Sequence, residues 1–280
     1  MPAPTGEVPR EMSPEELTEE LTGALPSRPI PPAALVTGGA RRIGRALVLA
    51  LVESGYAVAI HHHRSRAEAE ALAALIRGGG GKAIALAADL ADEAAVKALL
   101  PQATAALGPI GVLVNNASMF ENDTVRTATR ESWDAHLSIN LRAPFVLIQE
   151  FAALLPPDSG GAVVNLLDER VWNLTPFFVS YTLTKDALWT LTRTMALALA
   201  PRIRVNGIGP GPTMPSPRQS AEQFLDRCRA LPLRRGTSPD EIAAALRFIL
   251  AAPAMTGQMI ALDGGEHLGW AQPGQVPVVE

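Results

Sequence analysis

Ala33-Ala34-Leu35-Val36-Thr37-Gly38-Gly39-Ala40-Arg41-Arg42-Ile43-Gly44 is the stretch that decides how this 280-residue chain is read. Four apolar residues run into a glycine-bearing turn, and a segment with helical spacing, 42–54, follows it. Gly38 lets the backbone turn tightly and come close to a pyrophosphate. The helix N-terminus beyond the turn offers free N–H groups and a positive dipole end to the same anion. A lone glycine turn says little, because many strand-to-helix turns need one. Heading a chain of alternating strands and helices, it marks the first unit of a dinucleotide-binding sheet.

Outward from that unit the alternation continues. Short apolar runs at 33–37, 57–61, 83–87, 111–115, 162–167, 204–208 and 259–262 read as strands covered on both faces. Helical spacing fills 42–54, 67–76, 92–106, 130–155, 181–200 and 239–251. The order predicts right-handed crossovers and an α/β fold, one Rossmann-type doubly wound parallel sheet with helices on both faces. Residues 31–271 form the expected domain. Residues 1–30, proline-rich and acidic, are expected to be a mobile extension in which Ser13 caps a short helix; 272–280 are a tail.

Bulk properties narrow the class. Apolar residues make up 48% and charged ones 19%, enough to bury a large core and to exclude global disorder. A net charge of −4 argues against nucleic acid as a partner. Cys228 is the sole cysteine, so neither an intrachain disulfide nor a cysteine zinc site can be assembled. No apolar run reads as a membrane span, and the first residues carry no leader pattern, so no membrane association and a cytoplasmic location are expected.

Thr37-Gly38 followed by Arg41, Arg42, Ile43 and Gly44 resembles the glycine fingerprint of the short-chain dehydrogenase/reductase family, with Arg42 where its middle glycine stands. That departure narrows the resemblance to the pteridine reductases of the family. An arginine there reaches over the pyrophosphate or toward the substrate. The second strand ends in His61-His62-His63-Arg64-Ser65, without the acid that would accept a ribose 2′-hydroxyl and repel a 2′-phosphate. His63, Arg64 and Ser65 supply charge and donors for that phosphate, and the resemblance implies NADPH. Two rival readings are a metal site, for which only His61 and His63 share a strand face and no third ligand is evident, and a plain solvated basic end. Asp89-Leu90 resembles the family's adenine contact, although Asp89 alone reads as a helix cap. Asn116-Ala117-Ser118 resembles its motif after the fourth strand, and Pro210-Gly211 the element passing the nicotinamide.

Tyr181 and Lys185 lie four apart on one helical face. A lysine ammonium favours a phenolate, so Tyr181 is expected to have a lowered pKa and to exchange protons near neutrality. In the resembled family Lys185 also holds the nicotinamide ribose, and Asn140 is the helix residue that helps bind a water behind it. The family's usual serine at the end of strand five is missing, and Asp168 stands in that segment. A carboxylate beside a forming alkoxide opposes carbonyl reduction, whereas a carboxyl suits a ring imine whose nitrogen must gain a proton. A strand-end cap is the bland reading of Asp168. Phe120, in the resembled family, sandwiches a pterin against the nicotinamide. The stretch 214–237 is the expected substrate lid; its Arg218, Arg227, Arg234 and Arg235 read either as solvated surface or as partners for an acidic tail.

The resemblance thus implies an NADPH-dependent reductase of a dihydropterin or dihydrofolate C=N bond. Asp168, Tyr181 and Lys185 would be catalytic, and Arg42, Ser118 and Phe120 would touch substrate. It also implies a homo-oligomer, tetramer or dimer, through the long fourth and fifth helices. Two alternatives share the scaffold: a general carbonyl or 3-oxoacyl reductase, and a non-catalytic NADP(H)-binding sensor.

Overall fold

The computed structural model describes residues 12–17, 28–216 and 218–269. Seven parallel strands among them form one sheet: β1 Ala33–Val36, β2 Ala57–His62, β3 Ala83–Ala87, β4 Val112–Asn115, β5 Gly161–Leu166, β6 Ile203–Pro210 and β7 Met259–Leu262. Their spatial order is β3-β2-β1-β4-β5-β6-β7. The order reverses between β1 and β4, and a crevice opens at such a switch point, outside the carboxyl ends of the strands.

Strand alternation splits the core into two layers. Ala34, Val36, Val58 and Ile60 face the layer built with Leu47, Val48, Leu72, Ile242 and Leu246. Ala33, Leu35 and Ala59 face the other, with Leu99, Leu100, Val146, Leu147 and Phe151. The first layer belongs to helices α1 Arg42–Glu53, α2 Arg66–Gly78 and α8 Pro239–Ala251. The second belongs to α3 Glu93–Leu107, α5 Ala143–Leu154 and α6 Val179–Leu199, while α4 Arg130–Leu137 packs against α6. β1, β4 and β5 are buried throughout and β2 and β6 nearly so, which is why they read as continuous apolar runs, while the edge strands β3 and β7 are partly exposed.

Three details depart from the sequence reading. The expected helix 130–155 is one rod interrupted by a π turn, Ser138–Arg142, that joins α4 to α5. At 25 residues, 130–154, the rod is long and apolar enough to cross a membrane, contrary to expectation; its apolar side instead feeds the second core layer through Val146, Leu147, Ile148 and Phe151. The expected lid contains an unforeseen helix, α7 Ala221–Ala230. It buries only Cys228 and is too rich in charged residues to read as a core helix, but the Ser220/Gln223 capping box starts it. Of the expected N-terminal helix, residues 14–17 are helical, with Ser13 Oγ accepting from Glu16 N–H at 3.1 Å. The rest of the expected extension up to residue 27, and the tail 272–280, lie outside the described residues.

Candidate active site

The glycine turn at the end of β1 is built by its neighbours. Thr37 Oγ1 accepts from Asn116 N–H at 2.9 Å and Ala117 N–H at 3.0 Å. The Asn116 amide donates back to the Thr37 and Gly38 carbonyls at 2.8 and 3.1 Å. A side chain on Gly44 would put its Cβ 2.1 Å from the Gly38 carbonyl oxygen, so this glycine exists for close packing of α1 on the turn. Arg41 is the N-cap residue of α1, no side chain caps the helix, and its first turn has no acid. Its N–H donors and dipole therefore face the crevice.

His61 completes the turn. Gly38 N–H donates to its Nδ1 at 3.1 Å, and its Nε2 lies 3.2 Å from the Ala88 carbonyl, to which it donates. This fixes the neutral tautomer, and burial pushes its pKa down to about 4. Both ring nitrogens are committed to the backbone, so His61 is a strut and not a metal ligand. Because the folded pKa lies below the ordinary 6.5, this strut's contribution is complete above about pH 6.5 and is lost as pH falls toward 4. Melting temperatures taken across that window should fall on acidification, with a shallower slope in His61→Gln; equal slopes would deny His61 this role.

At the β2 end His63 lies 3.7 Å from Asp89, and Arg41 lies 3.5 Å from Glu68, all four about half exposed. Arg64 is exposed, and Ser65 sits at the N-cap of α2 without capping it. Asp89 forms a turn with Ala91 N–H at 2.9 Å, while the cap of α3 is Asp92, so the cap reading of Asp89 is corrected; Leu90 is buried.

A cavity of about 200 Å³ lies at the strand ends, lined among others by Arg42, Ser118, Phe120, Asp168, Tyr181 and Lys185. Asn116, Ile43, Pro210 and Gly211 reach it as well. Arg42 holds a left-handed backbone, φ 51°, which explains a glycine at this place in the fingerprint. For an arginine the conformation costs about 1–2 kcal/mol. Its guanidinium donates to the Pro215 and Met214 carbonyls at 3.2 and 3.3 Å, tying the start of the 214–237 segment to α1. Neither the pyrophosphate nor the substrate role had suggested this contact.

Asp168 joins the two readings made of it. Its Oδ1 accepts from Arg170 N–H at 3.0 Å and so starts the short 3-10 turn Glu169–Val171. Its Oδ2 accepts the Tyr181 hydroxyl at 2.7 Å. Cap and chemistry use different oxygens. Lys185 Nζ donates to the Leu166 carbonyl at 2.7 Å and lies 5.6 Å from the Tyr181 ring centroid. Burial lowers its pKa to about 8. The expected lowering of the Tyr181 pKa is corrected: burial and the Asp168 carboxylate hold it well above 10. The carboxylate receives the phenol hydrogen bond, whereas the ammonium bonds a carbonyl.

Asn140 sits on the π turn, a distortion that recurs at functional sites. Its Nδ2 donates to the Met119 carbonyl at 2.9 Å and to Thr184 Oγ1 at 3.1 Å. Its Oδ1 accepts from Met119 N–H at 2.8 Å and Ser118 Oγ at 3.2 Å. All four positions of the amide are taken, so its side chain anchors the Ser118 loop and has none left for the expected water.

Phe120 lines the cavity, but not alone. It stacks on Phe178 with centroids 4.5 Å apart and meets Tyr181 edge-on at 4.6 Å. Phe178 has φ 57°, and is held there by Asp123, whose carbonyl accepts its N–H at 2.8 Å and whose carboxylate accepts from Ser180. Sequence reasoning missed Phe178, Glu169 and Arg170. The signal available was three consecutive charges, Asp168 to Arg170, at the end of an apolar strand. Of the lid arginines, Arg218 donates to the Phe120 carbonyl at 3.1 Å, and Arg227 pairs with Glu266 at 3.0 Å. Arg234 and Arg235 are exposed, the latter paired with Glu241.

A family model described as enoyl-(acyl carrier protein) reductase matches residues 38–267. The chain is similar to the FolM alternative dihydrofolate reductase 1 from Brucella canis, solved with NADP. The two are 48% identical with a TM-score of 0.85, over 89% of this chain and 100% of that one. It is also similar to the oxidoreductase YgfF of Escherichia coli K12, 36% identical over 83% of this chain and 99% of the relative. A 3-oxoacyl-(acyl-carrier-protein) reductase of Synechocystis is 32% identical over 83% and 95%.

Proposed function

The chain belongs to the short-chain dehydrogenase/reductase family, and from that premise we propose that it reduces a C=N bond of a dihydropterin or dihydrofolate with NADPH. The observation that carries the reading is Asp168, bound at 2.7 Å to the Tyr181 hydroxyl on the cavity wall. A group able to hold and release a proton there suits a ring nitrogen and opposes a developing alkoxide. The NADP in the Brucella structure, and the dihydrofolate in that enzyme's name, support the same choice.

The residues present fit NADPH. The uncapped α1 N-terminus suits the pyrophosphate, Lys185 the nicotinamide ribose, and His63, Arg64 and Ser65 a 2′-phosphate. Bound there, NADPH supplies the hydride taken up by the ring carbon. The protein handles the proton. Burial and the neighbouring carboxylate hold the Tyr181 pKa up, and the two groups share a hydrogen bond. The Tyr181–Asp168 pair therefore takes up one proton and passes it to the ring nitrogen, so that C=N becomes CH–NH. Phe120 and Ser118 orient the flat substrate, and Arg42 holds the lid.

A screen of NADPH oxidation with dihydropterins, dihydrofolate, simple ketones and 3-oxoacyl thioesters tests the reading. Turnover of the first two supports it. Turnover restricted to the carbonyl compounds would overturn it in favour of the activity named for the Synechocystis relative. Arg64→Ala should weaken NADPH about tenfold, as loss of one charge-assisted hydrogen bond does, and leave NADH unchanged in fluorescence titrations. Equal losses for both cofactors would remove the phosphate role.

The proposal extends to a homo-oligomer. A groove of about 460 Å³, lined by Leu137, Leu141 and Phe145 against Ala187, Leu191 and Thr194, offers an apolar face on the helices through which the resemblance implies assembly. Light scattering should give a mass above the 29.6 kDa chain, and Phe145→Glu should reduce it. A monomer would remove this part.

A further inference from the structure

We propose that Arg170 is a positioning residue that sets the proton affinity of the Tyr181–Asp168 pair and ties that pair to the aromatic platform of Phe120 and Phe178. Its side chain is only 7% exposed, and taking a guanidinium out of water costs several kcal/mol unless charges and rings repay it. The surroundings do so from two sides. Arg170 Nη1 lies 3.6 Å from Asp168 Oδ1, the oxygen its own backbone N–H already holds at 3.0 Å. Its guanidinium carbon lies 5.0 Å from the Phe178 ring centroid and 5.6 Å from that of Phe120. With Oδ1 occupied from Arg170, Oδ2 alone is presented to Tyr181. Backbone and side chain of Arg170 together thereby bias which carboxylate oxygen takes the phenol proton, and its guanidinium, with that of Arg218 at 5.3 Å from the Phe120 centroid, holds the substrate-facing ring.

The charge matters as much as the geometry. Several ionisable groups surround Asp168: Tyr181 and Lys185 from α6, Glu169 and Arg170 from its own turn, Arg227 from α7 and Glu266 from the last turn. Glu169 is buried and pushed up to about 9, by burial first and then by the charges of Asp168 and Glu266. Arg227 is engaged by Glu266, and Lys185 by the Leu166 carbonyl. Arg170 is therefore the cation that stands directly against the pair, and its charge opposes the burial and the Asp168 carboxylate that raise the Tyr181 phenol. A nearby opposite charge favours the ionised form of an acid.

The inference rests on the proposed imine reduction, in which the protonated pair donates and rate falls as pH rises through its apparent pKa. Removing the cation raises that pKa. In Arg170→Gln the fall in kcat/KM should move up by about one pH unit, and KM should rise because the rings keep only Arg218 of the two guanidinium groups over them. Arg170→Lys keeps the charge and loses the planar fork, so the inflection should stay while KM still rises. An unmoved inflection in Arg170→Gln would overturn the proposal, as would a Lys variant that shifts it; should the Gln variant not fold, the Lys variant alone decides. Ultraviolet titration needs no substrate and separates this failure from failure of the pterin reading. The chain has two tyrosines, Tyr56 and Tyr181, and the Tyr181 phenol should titrate at higher pH in Arg170→Gln than in the parent. A Tyr181 titration unchanged by this substitution counts against Arg170, whichever substrate is reduced.

Discussion

Tyr181→Phe is expected to lower turnover by roughly 10²–10⁴-fold, the range a positioned acid–base group contributes. NADPH affinity should stay within about threefold, because a hydroxyl is all that is lost. The phenol is buried, donates to Asp168 Oδ2 at 2.7 Å and meets the edge of Phe120. Phenylalanine fills the same space, so the fold and the cofactor end should be unaffected. Stopped-flow NADPH oxidation and a fluorescence titration of the cofactor separate the two effects. A variant that turns over at the parent rate would strip Tyr181 of its place in the chemistry.

Asp168→Asn should be comparably damaging, again by roughly 10²–10⁴-fold on the chemical step. The amide retains the shape, and its oxygen can go on capping the turn at Arg170 N–H. It cannot carry the transferred proton. The substitution also removes the charge that, after burial, most strongly raises the Tyr181 pKa, so the phenol should titrate at lower pH than in the parent. The sign is definite: a neutral neighbour no longer disfavours the phenolate. Loss of turnover without a downward move of the tyrosine titration would mean that Asp168 acts apart from Tyr181. Full activity would refute the proton role altogether.

Much of the fold was legible because periodicity is a local property. The alternation of apolar runs with helical spacing placed every strand and six helices to within a few residues, since the central strands are buried on both faces and the helices alternate with them along the chain. Helix α7 was not legible. It owes its start to the Ser220/Gln223 box and its position to Arg227 and Glu266, which lie far apart in sequence. The site was legible where a residue type has one use at one spacing, as with Gly38, Tyr181, Lys185 and the acid-free end of β2. It was not legible where the role depends on which neighbour is nearer.

Tyr181 shows the division best. The chain by itself determined that a tyrosine and a lysine share a helix face, that Asp168 ends a strand, and that the scaffold is a doubly wound sheet. Tertiary structure alone decided that the phenol donates to the carboxylate and the ammonium to the Leu166 carbonyl, reversing the expected direction of the tyrosine shift. It likewise decided that Arg42 donates to the Pro215 carbonyl, that Phe120 stands on Phe178, and that Arg170 is buried between them and Asp168. The physical reason is the same throughout. Sequence spacing sets which way a side chain leaves the backbone, whereas its charge state and partner follow from distances of a few ångström between segments that only folding brings together.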